Sequence, residues 1–260
     1  MDLGLANKVV LITGGDKGIG GGITRAVAKE GAVPVIVARD VNAIQKIQEE
    51  LKAAGFPSHA VTAELSRPEE CERAVRETLA LAGRLDALVN NAGVNDGVGL
   101  EAGTPEQFVV SLRKNLLHYY CMAHYALPAL KAARGSIVNI GSKVAITGQG
   151  KTSGYAASKG GIMGLTREWA VELLPYGIRV NSVLPAEVMT PLYERWINTF
   201  PDPKAKLASI VSKIPLGKRM TTSEEIAAMV AFLISSQSGH TTGQHLIVDG
   251  GYVHLDRALS

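Results

Sequence analysis

The chain has 260 residues, 46% hydrophobic and 20% charged, a composition that excludes disorder over most of its length and fits one large α/β domain or two small ones. Lys and Arg total 27 against 24 Asp and Glu, a net charge of +3, too weak and too evenly spread to indicate nucleic acid or an anionic membrane surface as a partner. No apolar run approaches the ~18–20 residues of a membrane-spanning helix. The start, Met1-Asp2-Leu3-Gly4, lacks the basic and apolar parts of a secretory signal. The two cysteines, Cys71 and Cys121, show no metal or redox spacing, so buried thiols in a reducing cytoplasm are expected, with no metal site.

In chain order, short β-branched runs alternate with helical stretches. The runs are Val9–Ile12, Val33–Ala38, a weaker His59–Thr62, Leu88–Asn90, Ser136–Ile140, Ile178–Leu184 and His245–Val248. Between them, helices are predicted over Ile23–Glu30, Val41–Ala54, Pro68–Ala82, Phe108–Ala132 and Tyr155–Leu174. Runs that are apolar on both faces belong to parallel strands covered by helices on each side. With no linker, charge block or repeat, residues 1–260 read as one α/β domain. Its core is a doubly wound parallel sheet of about seven strands with helices on both faces. In such a sheet the ligand lies beyond the carboxyl ends of the strands, so residues just after each run are the candidates for chemistry.

After the first run comes Thr13-Gly14-Gly15-Asp16-Lys17-Gly18-Ile19-Gly20-Gly21-Gly22, opening into a helix. Glycines there let a diphosphate approach the backbone at a helix start, which points to a dinucleotide. Alone, such a pattern is weak; its place after the first strand of a repeated series strengthens it. Tyr155 and Lys159, four apart on a predicted helix, share one face, and Ser142 stands just past the fifth run. A phenol of pKa ~10 needs roughly 4 kcal/mol of phenolate stabilisation to act as a base near pH 7. A neighbouring ammonium has the right sign to supply part of it. Tyr155 could then take a hydroxyl proton while Ser142 holds the substrate oxygen.

The ordered set Thr13-Gly14-x-x-x-Gly18-x-Gly20, Asn90-Asn91-Ala92-Gly93, Asn115, Ser142 with Tyr155 and Lys159, and Pro185 through Thr190 resembles the short-chain dehydrogenase/reductase family over essentially the whole chain. The resemblance implies a Rossmann-type fold and nicotinamide-dependent hydride transfer. It implies that Lys159 grips the nicotinamide ribose, that Asn115 holds a water on the proton path, that Asn90 lies beside the adenine ribose, and that Val188 and Thr190 meet the carboxamide. The expected cofactor set is Gly14, Asp16, Lys17, Gly18, Ile19, Gly20, Arg39, Glu64, Leu65, Asn90, Asn91, Ala92, Gly93, Tyr155, Lys159, Pro185, Glu187, Val188 and Thr190. Two positions depart from the family pattern: Glu64-Leu65 replaces an Asp-plus-aliphatic pair, and Ala186 stands where glycine usually follows the proline.

The second run ends Val37-Ala38-Arg39-Asp40. A carboxylate at that strand end would read the ribose hydroxyls of NAD, whereas an Arg accommodates the 2′-phosphate of NADP. Ala38 occupies the carboxylate position by the family pattern, so Arg39, with Lys17, favours NADP. NAD stays possible through Asp40.

For substrate, the loops carry Asn95, Asp96, Lys143, Gln149 and Glu187, with Trp196 as an apolar platform. This hydrogen-bonding set suits a polyhydroxylated ligand better than a steroid or fatty chain. The segments 90–97, 147–155, 185–193 and 249–259 further resemble the bacterial L-fucose dehydrogenase branch of the family, which implies oxidation of an aldose at its anomeric carbon to the lactone. The rivals are a 3-oxoacyl-[acyl-carrier-protein] reductase, which would want a basic surface for its carrier, a non-catalytic nucleotide sensor and a structural assembly protein. A homotetramer is expected from the resemblance, with the helices 108–132 and 155–174 and the tail 250–259 as candidate interfaces.

Overall fold

A computed structural model of the chain describes residues 2–255. Seven strands, β1 (Val9–Thr13), β2 (Val33–Ala38), β3 (His59–Thr62), β4 (Ala87–Asn90), β5 (Ser136–Ile140), β6 (Arg179–Pro185) and β7 (His245–Val248), form one sheet in the order β3-β2-β1-β4-β5-β6-β7. Every neighbouring pair is parallel. The chain therefore winds outward from β1 to β3, returns to β4 beside β1, and winds the other way to β7. The crevice above β1 and β4 is where a doubly wound sheet takes its ligand.

Alternation along the strands explains the two-sided apolar pattern. Val9 and Leu11 of β1 face the core under α3 (Pro68–Ala82), α5 (His118–Ala133) and α6 (Ser153–Glu172). Val10 and Ile12 face the opposite core under α1 (Gly18–Lys29) and α9 (Ser223–Ile234). A smaller cluster of Ile36, Ala38, Ile44 and Ile47 seats α2 (Val41–Ala53). Among the described residues, no helix is long and apolar enough to cross a membrane, and no cluster of three or more His, Cys, Asp or Glu could hold a metal. Cys71 and Cys121 are free and buried.

Three helical expectations change. The first helix begins at Gly18 rather than Ile23, taking in the glycine-rich turn. The long helix expected over 108–132 is interrupted: α4 (Pro105–Leu112) runs into a π-helical turn, Arg113–Leu117, before α5. Asn115 lies in that turn and is fully buried. Its Oδ1 accepts from the Val94 N–H at 2.7 Å and its Nδ2 donates to the Ser111 carbonyl at 3.0 Å, clamping the turn to the loop after β4. Finally, α7 (Pro191–Ile197), α8 (Pro203–Val211) and α9 were not among the predicted helices. The box Thr222-x-x-Glu225 is the signal that would have marked α9: both of its reciprocal capping bonds form.

Candidate active site

The glycine-rich turn is stitched directly to the loop after β4. Thr13 Oγ1 accepts from the backbone N–H groups of Asn91 at 2.8 Å and Ala92 at 3.0 Å, while Asn91 Nδ2 donates to the carbonyls of Thr13 and Gly14. A side chain on Gly20 would run into the Gly14 carbonyl and Asn91, so only glycine permits this crossing. Helix α1 has no side-chain cap and no acidic residue in its first turn. Its free N–H groups and positive dipole end thus point into the crevice, an arrangement suited to a diphosphate. Gly18, at φ +55°, lies against the Thr190 side chain, which brings the loop after β6 over the turn. Thr190 also caps α7 by accepting from Tyr193 N–H, and Val188 is buried behind it. Ile19 is partly buried against the α1–α9 core, and Pro185 closes β6. The turn and its neighbours fit a dinucleotide.

At the carboxyl ends of β2 and β3, Arg39 bonds Glu64 at 2.8 Å, and Lys17 bonds Asp40 at 2.8 Å and Asp16 at 3.2 Å. Burial works against the Glu64 carboxylate, but the Arg39 guanidinium and the Ser66 N–H outweigh it and hold the group down at about 2. Asp40 also caps α2, accepting from the Ala43 N–H. At two expected cofactor positions the side chains are turned inward. Asn90 is fully buried, its Nδ2 donating to Asn139 Oδ1 at 3.1 Å, and Leu65 is packed into the α3–α5 core. Any contact of these two residues with a cofactor would therefore be through the backbone.

Ser142, Tyr155 and Lys159 converge beyond β5. Ser142 caps the short turn Lys143–Ala145, accepting from the Val144 N–H. Tyr155 is partly exposed and Lys159 is 3% exposed. Burial pushes the Tyr155 phenol up, and a hydrogen bond from Ser142 pulls it partly back. Burial pushes the Lys159 ammonium down to about 7. Lys159 is beside Tyr155, as the helix spacing predicts, but makes no direct bond to its phenol. Its Nζ lies 5.5 Å from the Tyr155 ring centre and donates instead to the Ile140 carbonyl at 2.8 Å and the Tyr119 hydroxyl at 3.2 Å. Gly93 faces this ammonium: a methyl group there would sit 3.7 Å from Nζ and 3.1 Å from Asn115 Oδ1.

The expected substrate residues divide into two groups. Lys143 and Glu187 meet as an ion pair, both nearly buried, with the Tyr252 ring 4.3 Å from Lys143 Nζ. The Tyr193 hydroxyl is buried beside them without a well-formed hydrogen bond, its phenol pushed up by burial and by the Glu187 charge. The rest are partly committed or, for Gln149, turned outward. Asn95 closes a local turn onto the Gly97 N–H, and Asp96 accepts from the Ser111 hydroxyl at 2.8 Å, leaving one carboxylate oxygen. Gln149 is exposed, and Trp196 stacks edge-on between Tyr193 and Phe200 along α7.

A family model described as enoyl-(acyl carrier protein) reductase matches residues 14–253, spanning the glycine-rich turn, the Ser–Tyr–Lys group and the final strand. The chain belongs to the short-chain dehydrogenase/reductase family. It is 38% identical to an L-fucose dehydrogenase from Bos taurus over 95% of this chain and 89% of that protein. The crystal structure of Cj0485 dehydrogenase superposes with a TM-score of 0.94 at 46% identity, covering 100% of this chain and 99% of that one. The aldohexose dehydrogenase of Thermoplasma acidophilum superposes with a TM-score of 0.86 at 28% identity, covering 97% and 96%.

Membership makes this short-chain dehydrogenase/reductase an oxidoreductase that uses a nicotinamide cofactor. Two of its site residues carry no signal in the sequence. Tyr119 reads as one more aromatic on an amphipathic helix, and no local pattern separates it from core. Tyr252 lies far along the chain from Lys143, and only the return of the C-terminal segment over the pocket joins them.

Proposed function

We propose that this dehydrogenase oxidises a free aldose at its anomeric carbon to the lactone, with L-fucose or a closely related sugar as substrate and NADP as the preferred cofactor. The observation that carries the sugar reading is the wall beside Ser142, where the Lys143–Glu187 pair and the unpartnered Tyr193 hydroxyl are buried together. The pair leaves further donors and acceptors and the Tyr193 oxygen lacks a partner, and a ring carrying several hydroxyls supplies both donors and acceptors. The similarity to an L-fucose dehydrogenase and an aldohexose dehydrogenase supports the same reading.

The residues divide the work. Ser142 hydrogen-bonds the anomeric oxygen and keeps it beside Tyr155. Tyr155 accepts the hydroxyl proton as the carbon–hydrogen bond breaks. A bound nicotinamide dinucleotide supplies the hydride acceptor, held by the α1 N-terminus, the backbone of Gly14 to Gly20, the 90–93 loop, and Val188 and Thr190. Tyr155 must enter this step as the phenolate, and Lys159 contributes the positive charge that stabilises it before the proton arrives, with a donor toward the ribose. Glu187 and Asp96 accept from ring hydroxyls, Lys143 and Asn95 donate, and Trp196 with Tyr193 offers an apolar face.

NADP is favoured because Asp40, the carboxylate that could read an NAD ribose, already caps α2 and pairs with Lys17. Arg39 by contrast is mostly in solvent. The protein acts as one domain in a homotetramer whose candidate interface is the exposed apolar row Val109, Leu117 and Tyr120 on α4, the π-helical turn and α5. Of the 250–259 tail, residues 256–259 lie outside the described residues. A monomer by light scattering at micromolar concentration would refute the assembly. The substrate test is the reduced-cofactor absorbance with NAD and NADP across a panel of aldoses and a 3-oxoacyl thioester. Turnover of L-fucose is expected; reduction of the thioester with no aldose oxidised would establish the acyl-carrier alternative.

A further inference from the structure

The ammonium of Lys159 sits inside a closed triangle that no motif announces. Tyr119, on the first turn of α5, is fully buried and its hydroxyl donates to the Ile140 carbonyl at 2.9 Å. Lys159 Nζ donates to the same carbonyl at 2.8 Å and to the Tyr119 oxygen at 3.2 Å. Because the single phenolic hydrogen of Tyr119 is committed to Ile140, its oxygen can only accept from Lys159. The ammonium thereby lies between two phenol rings, 5.2 Å from the centre of Tyr119 and 5.5 Å from that of Tyr155.

We propose that Tyr119 is a positioning residue for Lys159: its phenol oxygen and the Ile140 carbonyl hold two of the three ammonium hydrogens and leave the third aimed at the crevice. The inference rests on the reading of Lys159 as part of the reaction centre. Packing alone does not call for the hydroxyl. A phenylalanine would fill the same space in the α3–α5 core, and burying a hydroxyl is unfavourable unless it is bonded. The surroundings fix the phenol rigidly. The Tyr119 ring leans on His118 at 4.8 Å, and its carbonyl accepts from Asn90. Asn90 continues through Asn139 to Thr166 on α6, so the polar chain that holds Tyr119 also holds the helix bearing Lys159. The root and the tip of the lysine are thus anchored by one buried network.

The titratable groups facing Lys159 are Tyr155 on its own helix and Tyr119 and His118 from α5, with Glu64 reaching toward His118 from the end of β3. Tyr119 is pushed far up by burial and stays neutral, and His118 is pushed down to about 4 and is uncharged above pH 5. Neither changes charge between pH 6 and 9. A change in Lys159 titration on altering Tyr119 therefore reports the lost acceptor.

The test is Tyr119→Phe, with Lys159→Met as the reference. In protein labelled with 15N-lysine, the Lys159 signal is assigned by its loss in Lys159→Met, and its titration midpoint is measured without cofactor. An orphaned donor disfavours the charged form, so the midpoint should fall by half a unit or more in Tyr119→Phe. Fluorescence titration of reduced cofactor should show binding weakened three- to tenfold at pH 8 and little changed at pH 6, where both proteins carry the ammonium. An unchanged midpoint, or weakening equal at both pH values, would overturn the role of Tyr119. If Lys159→Met itself leaves cofactor binding and turnover intact, the reading of Lys159 fails first, and the two failures are told apart.

Discussion

Cations line both ends of the crevice, and the two ends hold them in opposite ways. At the carboxyl ends of β2 and β3 the side chains of Arg39 and Lys17 are 72% and 44% exposed and pair with Glu64 and Asp40, themselves partly in solvent. At the reaction end Lys143 has a side chain only 13% exposed and Lys159 is 3% exposed. An exposed pair is worth about 0–1 kcal/mol, so it can be broken and re-formed with a phosphate at little expense. A buried cation stripped of its partner costs about 3–5 kcal/mol, so the buried pair is fixed before any ligand arrives. One end is adaptable, while the other is held in place before any ligand arrives.

The reaction end should break hardest. Tyr155→Phe removes the one group placed to take the substrate proton and leaves the ring and the crevice intact. Turnover should fall about a thousandfold or more, with reduced-cofactor affinity, read by fluorescence, nearly unchanged. Substantial residual turnover would remove Tyr155 from the mechanism. Glu187→Ala comes next, because it strands Lys143 in a nearly dry wall. Aldose kcat/KM should drop about tenfold or more, on the order of 1.4 kcal/mol, while cofactor binding holds. Melting should also show a loss of stability, which Lys143→Met in the same protein should partly restore, since the stranded charge and not the lost carboxylate causes it.

The same contrast governs how much could be read from the chain. Features that rest on backbone geometry or helix spacing were legible: all seven strands, the glycine-rich turn, and Tyr155 with Lys159 on one face of α6. The resemblance singled out Asn115, though the π turn that carries it was invisible, since it depends on the partner Val94 from another loop. What the chain does not spell out is where a side chain points: Asn90, the last residue of β4, and Leu65, after β3, are both buried in the core. Lys143 and Glu187 were each chosen as substrate groups, but nothing in their separation of 44 residues says that they neutralise one another. Long-range pairing of this sort is written in the tertiary fold and has no local signature.

Acid exposes the difference through stability. Burial pushes His118 down to about 4, and its ring meets a Lys114 carbonyl and the charge of Lys159. Its ordinary pKa is 6.5, and a folded value below the unfolded one means that stability is complete above pH 6.5 and is lost as the pH falls through 4. The full loss is about 3 kcal/mol at most. Glu64 also has a depressed value, 4.5 falling to about 2, so its contribution is present above pH 4.5 and disappears toward pH 2. Its side chain is 38% exposed, so the gain is under about 1 kcal/mol. Urea melts should therefore show a steeper decline between pH 6.5 and 4 than below it, flattened in His118→Asn and not in Glu64→Gln. A decline in that window that survives in His118→Asn would mean another group drives it.

The smallest effect belongs to the adaptable end, and it decides the cofactor. For Arg39 to grip a 2′-phosphate it must leave Glu64, a bond of 2.8 Å worth under about 1 kcal/mol at its exposure. In exchange it gains a charge-assisted contact with a dianion, which is stronger. Arg39→Ala should thus raise the NADP KM several-fold, leave the NAD KM nearly unchanged, and alter the melting temperature little. Glu64→Gln should act in the opposite direction, tightening NADP modestly by freeing the guanidinium and removing a like charge from beside the phosphate. A matched change for both cofactors in Arg39→Ala would show that Arg39 does not read the phosphate. Asp40, released from Lys17, would then be the better candidate to read the ribose, and the preference for NADP would fall with it.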